Sequence, residues 1–175
     1  IQTEEFTQWV IEDDFAAEFP DLTKVGVTIT KDLEPYEETK IRILNGGHTS
    51  LAYLGVLSGY STFDEVMSDK AHLKHFKLLQ SEEIVPSIEM DLPFDIDEYV
   101  ETIEERLSAA YNNDHLERIC MDGFTKFHTF IVPSLRVCLE QRKRPIHIYR
   151  SIGAWYIYAR KFARGCNRIK YTEPN

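Results

Sequence analysis

Three polar side chains with complementary chemistry occur within one short stretch: Lys40, Asn45 and His48. On an α-helix, where each residue turns the chain by about 100°, they lie at about 0°, 140° and 80° around the axis and share one side over about two turns. A lysine kept partly neutral by burial can accept a hydroxyl proton, while histidine and asparagine hold and polarise the oxygen on which charge develops. This set suits interconversion of an alcohol and a ketone and needs no metal.

The backbone of this stretch is open to two interpretations. Asn45-Gly46 between apolar residues is typical of a tight β-hairpin. The helical spacing of apolar residues that continues to Leu57 favours a helix instead, in which Gly46 and Gly47 let another backbone or a ligand approach closely. A purely structural alternative also stays open, in which the lysine lies on the surface and the other two side chains form local hydrogen bonds.

The elements that must position these residues are mostly helices, so the predicted fold class is mainly α. Residues 1–36 read as extended or irregular, with short β-like pieces and turn residues. We expect Asp95 or Asp97 to cap a helix, and Gly165 to end one. Pro133 should hold Val132 in an extended conformation, and so separate two helices or lie in the first turn of the second. The predicted helices are Tyr36–Ser58, Thr62–Glu83, Ile96–Ala110, His115–Ile119, one from Pro133 to about Gln141, and Pro145–Arg164.

Composition fits one compact domain. The 175 residues are 43% hydrophobic, and a net charge of −9 argues against wholesale binding to nucleic acid or an anionic membrane. Residues 141–175 carry nine Lys or Arg against Glu173, which could attract phosphate groups or form a solvated basic face. Cys120, Cys138 and Cys166 form no Cys-x-x-Cys pair, which indicates a reducing, cytoplasmic setting.

Two other groupings of polar residues suggest different chemistry less strongly. Asp69, His72 and His75 recur every third residue of a predicted helix, but such steps drift around the axis, so an exposed polar face is favoured over a metal site. His48 and Ser50 lack the Gly-x-Ser-x-Gly turn of a hydrolase nucleophile. The sequence therefore predicts neither a metal centre nor nucleophilic hydrolysis.

The stretch Lys40-Ile-Arg-Ile-Leu-Asn-Gly-Gly-His48, here called the signature segment, resembles the signature helix of the polyol-specific long-chain dehydrogenases. This mannitol 2-dehydrogenase family also contains D-arabinitol dehydrogenases and hexuronate reductases. The sequence is closest in character to a mannitol or D-arabinitol dehydrogenase. Shorter similarities accompany the signature segment at residues 9–13, at residues 35–38, and at Met121-Asp122-Gly123 followed by Lys126.

The resemblance implies a role for each matching residue. Lys40 would be the general base, and Asn45 and His48 would position the reacting carbinol and stabilise its oxyanion. Lys126 would bind the polyhydroxyl or carboxylate end of the substrate, and we add His128 and Arg42 as candidate substrate-binding residues. The substrate would be a small polyol or a sugar acid.

The same resemblance implies NAD or NADP as cofactor, bound mainly by a domain absent from this chain, because no Gly-x-Gly-x-x-Gly fingerprint occurs in it. We therefore expect residues 1–36 to be the tail of an N-terminal dinucleotide-binding domain with its linker, and residues 37–175 to form the helical substrate-binding and catalytic domain. The chain would be a fragment, inactive without the missing domain. We expect no nucleic-acid or membrane partner, and favour a monomer.

Two alternatives stay open for the function. The first is a hexuronate reductase of the same family, acting on fructuronate or tagaturonate, with a basic group near Lys126 for the substrate carboxylate. The second is a helical interaction module that kept the scaffold and lost catalysis. A native gene without a dinucleotide-binding segment before Ile1 would favour the second.

Overall fold

The computed structural model describes residues 6–110 and 114–165, and within these ranges the protein is mainly α-helical, as predicted. The α-helices are α1 Glu34–Thr39, α2 Gly47–Ser58, α3 Phe63–Ser68, α4 Lys70–Leu78, α5 Ile96–Ser108, α6 Leu116–Ile119, α7 Gly123–Lys126, α8 Val132–Glu140 and α9 Ile146–Ala163.

Three π-helical segments interrupt or extend these helices. Lys40–Gly46 joins α1 to α2, Leu79–Ile84 extends α4, and Phe127–Ile131 joins α7 to α8. Such segments, with their i→i+5 hydrogen bonds, are rare and frequently occur at functional sites. Short 3₁₀ turns cover Leu22–Val25 and Val85–Ser87.

The N-terminal region holds the strands of the described chain. Strand β1, Val10–Glu12, pairs in parallel with β2, Thr28–Thr30, and Ile11 lies opposite Ile29. The 3₁₀ turn between them ends at Gly26, whose positive φ of 87° suits glycine. The expected short extended pieces are therefore present, and they form one small ribbon.

Helix α2 is the centre of the bundle because it is apolar on nearly every side, as expected of a buried helix. It packs against α3, α4, α6 and α9. A Cβ atom added at Gly55 would lie 2.4 Å from Cγ2 of Val66 and 3.0 Å from Cδ1 of Leu116, so glycine permits this close approach. The packed core includes Tyr53, Phe63, Phe76, Ile103 and Tyr158.

Polar caps set several helix boundaries. The predicted helix Thr62–Glu83 is divided at Asp69, which adopts an extended conformation and accepts hydrogen bonds from the backbone N–H groups of Ala71 and His72. The expected cap at Asp95 is present, as is the positive φ at Gly165.

The expectation of an extended Val132 was wrong. Val132 is helical, with φ −59° and ψ −37°, and Pro133 lies in the first turn of α8. Proline at that position removes an N–H that α8 does not need, so the preceding π segment runs directly into the helix. The apolar residues 127–132 before Pro133 are helical as well, and the first-turn position that sequence analysis allowed for Pro133 is confirmed.

Two further expectations concern the chain as a whole. No helix in the described ranges is long and apolar enough to cross a membrane. Cys120 and Cys138 are buried free thiols, and Cys166 lies outside the described residues.

Candidate active site

The signature segment is helical, which resolves the choice between hairpin and helix. Lys40 opens the π segment directly after α1, Asn45 lies within it, and His48 is in the first turn of α2. Because a π hydrogen bond joins residues five apart, Lys40 and Asn45 lie closer to one face than the α-helical angle of about 140° implies.

Close packing holds the backbone of the signature segment. The Nε2 atom of buried Gln80 donates a 2.9 Å hydrogen bond to the carbonyl oxygen of Ile43. A Cβ atom on Gly47 would lie 2.5 Å from that same Nε2 atom, and one on Gly46 would lie 3.2 Å from the carbonyl oxygen of Phe130. Gln80 and Phe130 belong to the other two π segments, both of which contact the first.

Lys40 and Asn45 have no polar partner among the described residues. Lys40 is exposed and Asn45 is half-buried. The burial that sequence analysis expected for the lysine amine is therefore not provided by the described residues. Both side chains remain available to a ligand.

His48 is more enclosed, with a side chain that is 19% exposed. Its Nε2 atom lies 3.1 Å from Oδ2 of Asp114, and its ring meets that of Phe63 edge-on at 4.4 Å between centroids. Burial raises the pKa of Asp114, but hydrogen bonds from His48 and Arg118 outweigh it and lower that pKa to about 2. The imidazole therefore faces an ionised carboxylate.

The other candidate residues lie in mixed surroundings. Arg42 forms an ion pair with Glu38, at 2.6 Å, and donates from Nη1 to the carbonyl oxygen of Ser87, so the fold uses its donors. Lys126, in α7, donates from Nζ to the carbonyl oxygen of Ile119 at 2.8 Å. His128 is exposed on the third π segment, the one that packs against the signature segment.

The alternative polar groupings have structural roles. Asp69 caps α4 and accepts from Nδ1 of His72, while buried His75 contacts His147. No group of three metal-ligating side chains occurs in the part of the chain that the structure describes. Ser50 is buried, and its hydroxyl makes no hydrogen bond to a described residue.

A cavity of about 380 Å³ lies between α2, α4 and α9, and no residue of the signature segment lines it. Its walls are mostly apolar, with Leu54, Leu57 and Ile157 among them and Arg150 as the charged member. A smaller cavity of about 20 Å³ borders both His48 and Asp114, and its size matches roughly one water molecule.

Sequence reasoning missed two residues that hold the site, Gln80 and Asp114. Gln80 gave no local signal, because it acts on a backbone 37 residues away. Asp114 did give one, since it stands four residues before Arg118 and the two form an ion pair at helical spacing.

The comparisons with known proteins identify the class to which this site belongs. Residues 32–175 match the family model described as the mannitol dehydrogenase C-terminal domain. The chain therefore belongs to the mannitol dehydrogenase family, and the predicted resemblance is confirmed.

Individual relatives agree with this assignment. The chain is 35% identical over 162 residues to mannitol dehydrogenase 2 of Saccharomyces cerevisiae, covering 90% of this chain and 32% of that protein. It is 33% identical over 174 residues to D-mannonate oxidoreductase of Escherichia coli, covering 99% of this chain and 36% of that protein. It spans about a third of the length of the relatives it matches.

A solved structure shares the fold. Mannitol 2-dehydrogenase of Pseudomonas fluorescens, in a ternary complex with NAD and D-mannitol, superposes with a TM-score of 0.81 at 36% identity. The match covers 87% of this chain and 31% of that one.

Proposed function

We propose that this chain forms the helical substrate domain of an NAD(P)-dependent dehydrogenase that oxidises a secondary alcohol of a polyol, of the mannitol or arabinitol type, to a ketose. The observation that carries the proposal is the signature segment: Lys40, Asn45 and His48 lie within about two turns of one closely packed helical stretch in a member of the mannitol dehydrogenase family. The Pseudomonas relative supports the substrate class through its complex with NAD and D-mannitol.

The described residues do not fit a dinucleotide by themselves. Their parallel strands β1 and β2 are joined through a 3₁₀ turn, and no glycine-rich turn leads from either strand into a helix that could cradle a pyrophosphate. We therefore assign the binding of NAD or NADP mainly to a domain outside residues 37–175, with residues 1–36 as its tail and linker.

The residues of this chain supply the proton chemistry of the proposed reaction. Lys40 Nζ accepts the hydroxyl proton, Asn45 donates a hydrogen bond to the carbinol oxygen while negative charge develops on it, and His48 positions the carbinol. NAD or NADP, when bound, would take the hydride from the carbinol carbon and so complete the oxidation to a ketone. Lys126 and His128 contact the part of the substrate away from the carbinol. Arg42 stabilises the signature segment through its ion pair with Glu38 and its hydrogen bond to the carbonyl oxygen of Ser87. Because Lys40 is exposed in this chain, the surface that covers it must come from outside the described residues.

Replacing the proposed base tests the function directly. In the complete enzyme, Lys40→Ala should lower turnover by roughly 10²- to 10⁴-fold, because it removes the proton acceptor. Since the Lys40 side chain is exposed and has no polar partner among the described residues, the free energy of unfolding should change little. Lys74→Ala, at another exposed lysine, is the matched control and should keep full turnover. Near-normal turnover of Lys40→Ala would remove the lysine from the role of base.

A hexuronate reductase is the second candidate, favoured by the similarity to D-mannonate oxidoreductase. Lys126 would then pair with the substrate carboxylate. Rates with mannitol, arabinitol and fructuronate, each with NAD and NADP, separate the two candidates. Preference for fructuronate, with a KM raised more for fructuronate than for mannitol by Lys126→Met, would select the reductase.

The remaining predictions about surroundings follow from composition. We expect a monomeric protein of the cytoplasm with a small-molecule substrate, and size-exclusion chromatography coupled to light scattering checks the oligomeric state. The three cysteines and the acidic net charge support these expectations.

A further inference from the structure

The carboxylate of Asp114 lies between the imidazole of His48 and the guanidinium group of Arg118. Its Oδ2 atom is 3.1 Å from Nε2 of His48, and its Oδ1 atom accepts from Nε of Arg118 at 3.1 Å and from Nη2 of the same residue. Each carboxylate oxygen therefore faces one partner, and the arginine leaves Oδ2 to the imidazole.

The Nε2 atom of His48 has no other acceptor in the described ranges and is sealed from solvent. Its contact with Asp114 is at ion-pair distance but off the ideal hydrogen-bond direction. Hydrogen bonds of this kind are often poorly aligned in enzymes without bound substrate.

The backbone fixes the relative position of the two groups. The N–H of Phe63, whose ring meets His48 edge-on, donates to the carbonyl oxygen of Asp114 at 2.9 Å. Nearby, the N–H of Leu116 donates to the carbonyl oxygen of Ser61 at 3.0 Å. These backbone hydrogen bonds join the segment that carries Phe63 to the segment that carries Asp114. The imidazole of His48 therefore lies between the ring of Phe63 and the carboxylate of Asp114.

We propose that Asp114 is the positioning residue of His48: it holds the imidazole through Nε2–H, so that in the neutral ring Nδ1 is a bare nitrogen that accepts a hydrogen bond from a hydroxyl group of the substrate. This inference rests on the proposed function, which makes His48 a substrate contact. Nδ1 has no partner among the described residues. The cavity that borders Asp114 and His48 is only about 20 Å³, too small for a polyol, so the substrate must meet the ring elsewhere.

The charge of Asp114 supports this role over a wide pH range. Burial disfavours the carboxylate, but the hydrogen bonds from His48 and Arg118 prevail and lower the pKa of Asp114 to about 2. The acceptor is therefore ionised wherever the imidazole is neutral. An ionised acceptor on one ring nitrogen is what fixes the tautomer of a histidine.

The tautomer of His48 can be measured in this 175-residue chain without any turnover. Long-range ¹H–¹⁵N spectra above pH 8 distinguish a protonated from a bare ring nitrogen, and His48→Gln assigns the signal. In the unmodified chain we expect a single tautomer with the proton on Nε2. Asp114→Leu should give a mixture of the two tautomers, and Asp114→Asn, which keeps an oxygen acceptor but no charge, should lie between.

Asp64→Asn is the matched control, because Asp64 lines the same small cavity and forms no hydrogen bond or ion pair with His48 within the described residues. It should leave the tautomer unchanged. An unaltered Nε2–H tautomer in Asp114→Leu, or a proton on Nδ1 in the unmodified chain, overturns the proposal. Where Asp114→Leu fails to fold, judged by loss of amide dispersion, Asp114→Asn decides: full retention of the original tautomer also overturns it.

A kinetic measurement separates this inference from the proposed function. In the complete enzyme, Asp114→Asn should lower kcat by roughly 10- to 100-fold with a smaller change in KM, since it misplaces a ring and removes no substrate contact. If Asp114→Leu changes the tautomer of His48 and Lys40→Ala keeps full activity, only the role of Lys40 as base is contradicted. If Asp114→Leu leaves the tautomer of His48 unchanged and Lys40→Ala is inactive, only the positioning role of Asp114 is contradicted.

Discussion

The polar side chains of the signature segment differ in their surroundings from those at the junction between α4 and α9, which consists of His75, Glu83 and His147. At the signature segment, the side chains of Lys40 and Asn45 have no polar partner among the described residues, while the backbone of the segment is closely packed at Gly46 and Gly47. At the junction, Glu83, His75 and His147 are all buried. Both carboxylate oxygens of Glu83 accept backbone N–H groups, from His147 at 2.8 Å and Ile148 at 2.7 Å.

The difference shows which polar residues the fold needs. Pro145 is the N-cap residue of α9 and its side chain has no hydrogen-bonding group, so Glu83 caps the helix from another segment of the chain. The helix N-terminus carries partial positive charge, and a carboxylate there satisfies otherwise unpaired N–H groups. Polar residues at the junction therefore stabilise the bundle, whereas Lys40 and Asn45 of the signature segment have no polar partner among the described residues.

The largest expected effect on stability comes from removing the carboxylate of the junction. Glu83→Ala leaves two buried N–H groups without an acceptor and should lower the free energy of unfolding by about 3 kcal/mol. Urea unfolding followed by circular dichroism measures it.

The neighbouring Glu82 provides the control for Glu83. Its side chain is 61% exposed and lies 3.6 Å from Nε2 of His147, so Glu82→Ala should change stability by less than about 0.5 kcal/mol. Equal effects of the two substitutions would contradict the structural role given to the junction.

A second prediction concerns the packing beneath the signature segment. An added methyl group at Gly47 would meet Nε2 of Gln80 at 2.5 Å and Cε2 of Phe76 at 2.7 Å. Gly47→Ala should therefore destabilise the protein by roughly 1–3 kcal/mol. It should also reduce turnover of the complete enzyme, because Gln80 holds the carbonyl oxygen of Ile43.

Gly153, in α9, separates packing from helix propensity. A methyl group there meets nothing within 4 Å, so Gly153→Ala should be neutral or stabilise the helix by about 0.5–1 kcal/mol. If Gly47→Ala were equally well tolerated, the rigid support inferred for the signature segment would not exist.

Local patterns were enough to predict the mainly α fold, most of its helices and the short segment that carries the candidate site residues. Asp95 was recognisable as a cap because its partners are two and three residues away, and Lys40, Asn45 and His48 share one short segment. The family assignment followed from that segment too.

Long-range contacts could not be predicted in this way. Gln80 reaches the carbonyl oxygen of Ile43, and Glu83 reaches α9 across more than sixty residues. The π turns arise from packing between segments, and apolar spacing does not distinguish them from α-helix. The sequence left open whether Lys40 is buried or on the surface, because spacing shows which residues share a face and does not show what covers that face.

The pH dependence of stability should come from the junction. Burial lowers the pKa of His75 from 6.5 to about 4, helped by the nearby charges of His147, Arg150 and His72. Between pH 6.5 and about 4, the unfolded chain binds a proton at His75 that the folded chain does not bind. The contribution of His75 to the free energy of unfolding is therefore fully present above about pH 6.5 and is lost as the pH drops towards 4.

Between pH 7 and 5, His75 should account for about 2 kcal/mol of lost unfolding free energy. Comparing His75→Asn with the unmodified chain at both pH values isolates this contribution, because the other acidic and basic groups titrate in each. The variant should lose about 2 kcal/mol less on acidification. His128→Asn, at an exposed histidine of the π segment beside the signature segment, should keep the full loss. If both variants lost as much stability as the unmodified chain, the acid sensitivity would arise outside the junction, and buried His75 would not distinguish the two regions.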